Sequence, residues 1–175
     1  IAGIELAKTI YEYYDINLSF HQYYKDGQLI QKGSTIFSVN GKKHSILATE
    51  RLILNCMQRM SGIATNTNKF VKKIEDLKTK ILDTRKTCPT IRFLDKQAVK
   101  IGGGNNHRNG LYDAIMIEDN HIDFCDGIEN AIQKCNDYLL NSSISQDIIV
   151  EVRNIDELHK VLHFGKINRI LLDNF

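Results

Sequence analysis

The chain has 175 residues, 42% of them hydrophobic and 25% charged, with a formal net charge of +2. This is the balance of a globular protein, long enough for one good core or for a small domain joined to part of another. A charge of +2 with interspersed signs gives no argument for nucleic-acid binding, and no apolar run approaches the ~20 residues that cross a bilayer.

Ile4 to Tyr14 repeats apolar residues at helical spacing (Ile4, Ala7, Ile10, Tyr11, Tyr14), which predicts a short helix. Glu5 and Lys8 interrupt it, so it does not read as a signal peptide. Asn17 to Lys25 is aromatic and partly alternating, which suits a strand. Asp26-Gly27 signals a hairpin turn, with Gln28 to Gln31 as the return strand. After Gly33-Ser34 comes another short strand, Thr35 to Val39. His44 to Met60 predicts a helix whose apolar face holds Ile46, Leu47, Ile53, Leu54, Met57 and Met60. Ser61-Gly62 is a break, and Ile63 to Leu77 resumes the helical pattern.

From Lys80 onward the pattern changes to repeated strand–helix units. Strands are expected at Lys80–Asp83, Asp113–Glu118, Asp147–Val152 and Arg169–Asp173, and helices at Arg92–Ile101, Gly127–Leu140 and Ile155–Phe164. The strands lack strict alternation, as in a parallel sheet buried on both faces. The expected fold is α/β: part of a small sandwich over residues 1–60, then part of an open barrel over 61–175. Four strands cannot close a barrel. With Ile rather than Met at position 1 and a bare strand at the end, both ends read as cut from a longer chain. The cysteines (Cys56, Cys88, Cys125 and Cys135) form no CxxC pair, have no His at zinc-like spacing, and read as reduced thiols of a cytoplasmic protein.

The expected strands all end in polar residues: Asp83-Thr84-Arg85-Lys86, Glu118-Asp119-Asn120-His121, Glu151-Val152-Arg153 and Asp173-Asn174. That is the end where parallel α/β sheets bind ligands. Arg85, Lys86, His107 and Arg108 can converge if the Gly102-Gly103-Gly104 loop folds over this rim, giving a site for an anion. The other reading is a set of surface charges paired with neighbouring acids. Adjacent glycines favour a tight turn or a close ligand approach. Glu151 and Asp173 suit Mg²⁺ or sugar hydroxyls, or else a helix cap or salt bridge. His121 either holds its loop or touches substrate, and Arg51, beside Glu50, reads from composition alone as a solvated helix position.

Seven segments carry a resemblance: ERLILN (Glu50–Asn55), SGIATNT (Ser61–Thr67), DTRKTCPTIR (Asp83–Arg92), GGGNNHR (Gly102–Arg108), LYDAIMIEDNHI (Leu111–Ile122), VEVRN (Val150–Asn154) and LLDN (Leu171–Asn174). In order and spacing the sequence resembles the quinolinate phosphoribosyltransferase family. The resemblance implies an N-terminal α/β sandwich followed by an open α/β barrel. It implies transfer of ribosyl phosphate from PRPP to quinolinate with Mg²⁺ and loss of CO₂, in dimers or larger assemblies with shared sites. It further implies that Arg51 reaches the neighbouring subunit's site and that Arg85, Lys86, His107 and Arg108 bind carboxylates and phosphates. Lys86, Glu151 and Asp173 are the implied catalytic groups, with Glu151 and Asp173 facing the PRPP ribose and Mg²⁺. One position departs: Glu118 stands where the family pattern has Lys, which changes the local charge of the substrate pocket by two units.

Overall fold

A computed structural model describes all 175 residues. They form two compact units, Ile1–His107 and Arg108–Phe175.

The first unit contains α1 (Ile4–Tyr14), β1 (Ser19–Gln22), β2 (Phe37–Asn40), α2 (Lys43–Lys73) and α3 (Arg92–Ile101). α1 buries Ile4, Ala7 and Tyr11, the i, i+3, i+7 stripe that the sequence predicts. These pack with Leu18, Ile53 and Met57 into one cluster. Tyr11, Phe20 and Phe37 bring their ring centroids within 6.4 Å of one another. β1 and β2 pair antiparallel, Phe20 opposite Val39. The expected return strand at Gln28–Gln31 does not form. Asp26 Oδ1 accepts from Ile4 N–H at 2.8 Å, Gly27 N–H donates to Ile1 O, and Ile1 N–H donates to Gln28 O. The turn is thereby tied to the start of the chain, and β1 takes its partner from beyond Gly33-Ser34.

α2 runs unbroken through Ser61-Gly62, where the sequence predicts a break, so the expected division between residues 60 and 61 lies inside this helix. The physical reason is local. Ser61 Oγ accepts from Ala2 N–H at 3.0 Å and donates to Ala2 O at 3.1 Å, while Met57, Met60, Ala64 and Thr67 continue the buried face across the glycine. One glycine in a helix interior costs only about 1 kcal/mol, less than this burial returns. Met60, Ala64 and Ala2 join Leu94 and Ala98 of α3 in a second cluster. The expected apolar face is narrower than predicted, with Leu47 and Leu54 exposed. The expected strand at Lys80–Asp83 reduces to a single parallel bridge, Leu82 to Asn105. Only Ile81 and Leu82 are apolar there, and Leu82 stays 46% exposed, so little burial supports a strand.

The second unit contains β3 (Ala114–Ile117), α4 (Asp119–Phe124), α5 (Ile128–Ser142), β4 (Asp147–Val152), α6 (Ile155–Phe164) and β5 (Arg169–Leu172). The strands form a parallel sheet in the order β3-β4-β5. Ile117, Ile148, Val150 and Val152 pack with Ile128, Ala131, Ile132 and Val161 of α5 and α6, with Ile170 against them. Ile149, on the other face, is also buried, which is why these strands read as continuous apolar runs. Asn154 caps α6, its side chain accepting from Glu157 N–H. The short α4 has no periodic signature in the sequence.

Candidate active site

In the first unit, the loop bearing Arg85 and Lys86 is held at both ends by buried carboxylates. At its start, Asp83 Oδ1 accepts from Lys96 Nζ at 2.6 Å and from His107 N–H at 2.8 Å, and Lys96 Nζ also donates to His107 O at 3.0 Å. The side chains of Lys96 and Asp83 are 4% and 7% exposed. One ion pair therefore fixes both the strand-like end before Arg85 and the backbone of His107. At the loop's far end, Asp95 Oδ2 accepts from Cys88 N–H at 3.0 Å while Arg59 of α2 clamps the same carboxylate through two bonds of 2.7 and 2.8 Å. The Arg59 guanidinium, and then the Cys88 N–H, hold the Asp95 carboxyl below the ordinary carboxylate range against the opposing effect of burial. Between these anchors, Lys86 is exposed, and its N–H donates to Thr84 Oγ1. Arg85 is half-buried, and its Nε is covered without a hydrogen-bond partner.

The triple glycine ends α3. Gly102 N–H returns to Ala98 O, Gly103 to Lys100 O and Gly104 to Val99 O. The glycines form a tight turn, one of the two expectations for them, and the turn lies close against α2. A Cβ on Gly102 would stand 2.5 Å from Ala64 O and 2.7 Å from Thr67 Cβ, and one on Gly104 2.9 Å from Thr67 Cγ2. Arg51 lies exposed on α2.

In the second unit, the sheet register places the acids. Ile117 pairs with Val150, and Glu151 with Leu171. Alternation then puts Glu118, Glu151 and Asp173 on one face, opposite the face that packs on α5 and α6. Asp173 N–H donates to Val152 O at 3.1 Å, extending the ladder by one residue. No group of three or more His, Cys, Asp or Glu is arranged to hold a metal. Arg108 is 6% exposed at its side chain. Its Nη1 donates to Ala114 O at 3.2 Å and its Nη2 lies 3.5 Å from Glu118 Oε1. Glu118 is also the N-cap residue of α4, in a reciprocal capping box with His121 whose Nδ1 accepts from Glu118 N–H at 2.9 Å. Of the two readings open for His121, the structure has it holding the loop.

Two family models match: the quinolinate phosphoribosyl transferase N-terminal domain over residues 1–61 and its C-terminal domain over 63–175. The chain belongs to the quinolinate phosphoribosyl transferase family. Among relatives, the chloroplastic carboxylating nicotinate-nucleotide pyrophosphorylase of Arabidopsis thaliana is 44% identical over 181 residues, covering 99% of this chain and 51% of its own. A probable enzyme of the same name from Bacillus subtilis is 40% identical over 176 residues, covering 99% and 58%. The solved structure of the nicotinate-nucleotide pyrophosphorylase from Francisella tularensis aligns with a TM-score of 0.89 at 43% identity, covering 99% of this chain and 60% of that one. The chain spans about half the length of the curated plant relatives it matches.

Within this family framework, three residues were missed by sequence reasoning: Lys96, Asp95 and Arg59. Lys96 and Asp95 lie between Leu94 and Ala98 on the buried side of α3. A charged pair inside an otherwise apolar helix stripe was the signal that could have marked them as paired interior groups. Nothing local names their partners, which are 13 and 36 residues away.

Proposed function

We propose that this chain is part of an enzyme that transfers the ribosyl phosphate of PRPP to the ring nitrogen of quinolinate. The products are nicotinate mononucleotide, CO₂ and pyrophosphate, and the step belongs to NAD biosynthesis. The observation that carries the reading is Arg85: a half-buried guanidinium with an unsatisfied Nε, on a loop anchored by two buried carboxylates, in a chain of this family. Leaving such a donor unpaired costs about 1–3 kcal/mol, which an anionic substrate recovers. Rigid anchoring suits a group that must meet a planar carboxylate in one orientation.

In this reading Arg85, Lys86, His107 and Arg108 bind carboxylates and phosphates, and Lys86 also offsets charge developing in the reaction. Glu151 and Asp173 stabilise the positive charge that builds on the ribose as pyrophosphate departs. The same two carboxylates would hold Mg²⁺, which offsets the charge of the leaving pyrophosphate. Two carboxylates on adjacent strands suit this metal, which is usually held by one or two carboxylates together with substrate phosphates. Residues 1–60 represent part of an N-terminal α/β sandwich and 61–175 part of an open barrel. The working form is a homodimer or larger assembly, with Arg51 serving the neighbouring site. In support, Leu47, Leu52 and Leu54 are exposed on the same stretch of α2 as Arg51. No helix is long and apolar enough to cross a membrane, and a cytoplasmic setting is part of this proposal.

The test is incubation of the full-length protein with PRPP, Mg²⁺ and quinolinate, following nicotinate mononucleotide and CO₂. Turnover with nicotinate but not quinolinate points to a transferase for another pyridine base, the second reading that Glu118 favours. PRPP binding without turnover of any base points to a non-catalytic relative. Arg85→Ala is expected to lower kcat/KM at least ~100-fold with an unchanged melting temperature.

A further inference from the structure

The ion pair of Arg108 and Glu118 is built unlike those of Lys96, Lys8, Arg59 and Arg153. Lys96 and Asp83 are both interior, 2.6 Å apart. Lys8, Arg59 and Arg153, in their own ion pairs, are each about 40% exposed or more. Arg108 is almost fully covered, at 6%, while the Glu118 side chain in contact with it is 40% exposed. The carboxylate therefore lies on the solvent side of a buried guanidinium. Their separation of 3.5 Å exceeds the ~2.7–2.9 Å of a well-formed charge-assisted bond, so a better-placed anion can outcompete it. Arg108 is fixed independently by its bond to Ala114 O, and can keep its place when its counter-ion changes.

We propose that Glu118 is a built-in counter-ion of Arg108 that an anionic substrate group must displace, and that it thereby sets which ligand charge the site accepts. The inference rests on the reading above, in which Arg108 receives a carboxylate or phosphate. Exchange moves the Glu118 carboxylate aside without removing its charge, so every bound anion feels it. A dianion feels it about twice as strongly as a monoanion. Glu118 therefore narrows the preference for a pyridine dicarboxylate over a pyridine monocarboxylate. The exchange also strips α4 of the side-chain half of its cap, which links occupancy of Arg108 to the order of that helix.

Calorimetric titration of quinolinate and nicotinate into the full chain tests this, with Glu118→Gln and Glu118→Ser as variants. Gln removes the charge at equal size. Ser keeps an N-cap acceptor if Gln proves poorly folded. Both variants are expected to bind quinolinate about tenfold tighter and nicotinate only about threefold tighter, so the ratio of the two affinities rises. Equal changes for both ligands, or none, would reduce Glu118 to a helix cap and overturn the proposal. If neither base binds wild type or variants, the enzymatic reading fails instead. The counter-ion assignment is then decided by inorganic phosphate, followed through the Arg108 Nε–H resonance. A shift at several-fold lower phosphate in the variants upholds it, and superimposable curves in all three proteins refute it.

Discussion

The two units hold their candidate groups by opposite means. In the second unit, Glu118, Glu151 and Asp173 sit at the ends of hydrogen-bonded parallel strands, and the register of the sheet alone assigns them to one face. In the first, Arg85, Lys86 and His107 lie on irregular chain with one isolated bridge beneath it. Their positions depend on side chains brought from α2 and α3. The contrast teaches that a regular sheet needs no added device to aim a side chain, whereas a loop requires interior ion pairs to do the same work.

The sharpest way to break the comparison is Lys96→Met. It leaves the Asp83 carboxylate, at 7% exposure, with the His107 N–H but without its cation, and releases the His107 carbonyl. We expect a loss of about 3–5 kcal/mol, read by urea unfolding, with much of it recovered in Lys96→Met/Asp83→Asn. A single variant no worse than a surface substitution would show that the bridge and the glycine turn suffice.

Asp95→Asn tests the other anchor and carries a pH signature. Because Arg59 depresses its folded-state value, the Asp95 carboxylate contributes its full stability above the ordinary carboxylate value, about 3.9, and loses it as pH falls through the lower folded value. The variant should be weaker by about 2 kcal/mol at neutral pH and flatter in melting temperature below about pH 4. Glu157, depressed by Arg153 in the second unit, adds its own acid sensitivity in the same range, so the variant's curve should flatten only in part.

The smallest effect is expected at Asn154→Ala, which removes the α6 cap for about 1 kcal/mol and leaves the sheet face untouched. If it altered ligand binding as strongly as Lys96→Met, the claim that strand register alone places the second unit's acids would fail.

The same contrast explains what could be read in advance. Strands β3, β4 and β5 and helices α3 and α6 were legible because each is an uninterrupted apolar run or stripe between polar stops. Glu151 and Asp173 followed from them as strand ends. The first unit was harder. The partner of β1 was misplaced because Asp26 and Gly27 bond to the start of the chain, a contact between residues more than 20 apart. The break at Ser61-Gly62 vanished because Ser61 bonds Ala2. Lys80–Asp83 reads as a strand from an apolar run of two residues, Ile81 and Leu82, too short to bury. At the turn and at Ser61 a group from elsewhere in the chain decides the local conformation, and Lys96, Asp95 and Arg59 are hidden in the sequence for the same reason.

The glycine crossing at α2 bears on how this sequence can drift. Surface loops ordinarily tolerate replacement. Position 102 should be closed to every residue with a side chain, because Ala64 O and Thr67 already occupy that space, position 104 is crowded by the side chains of Val99 and Thr67, and position 103 is disfavoured by its φ of +90°. A library randomised across these three codons should return glycine far more often than at Gly62, where no atom stands in the way and the backbone is helical. The most constrained stretch of the molecule would then be a loop, kept so by a helix passing behind it.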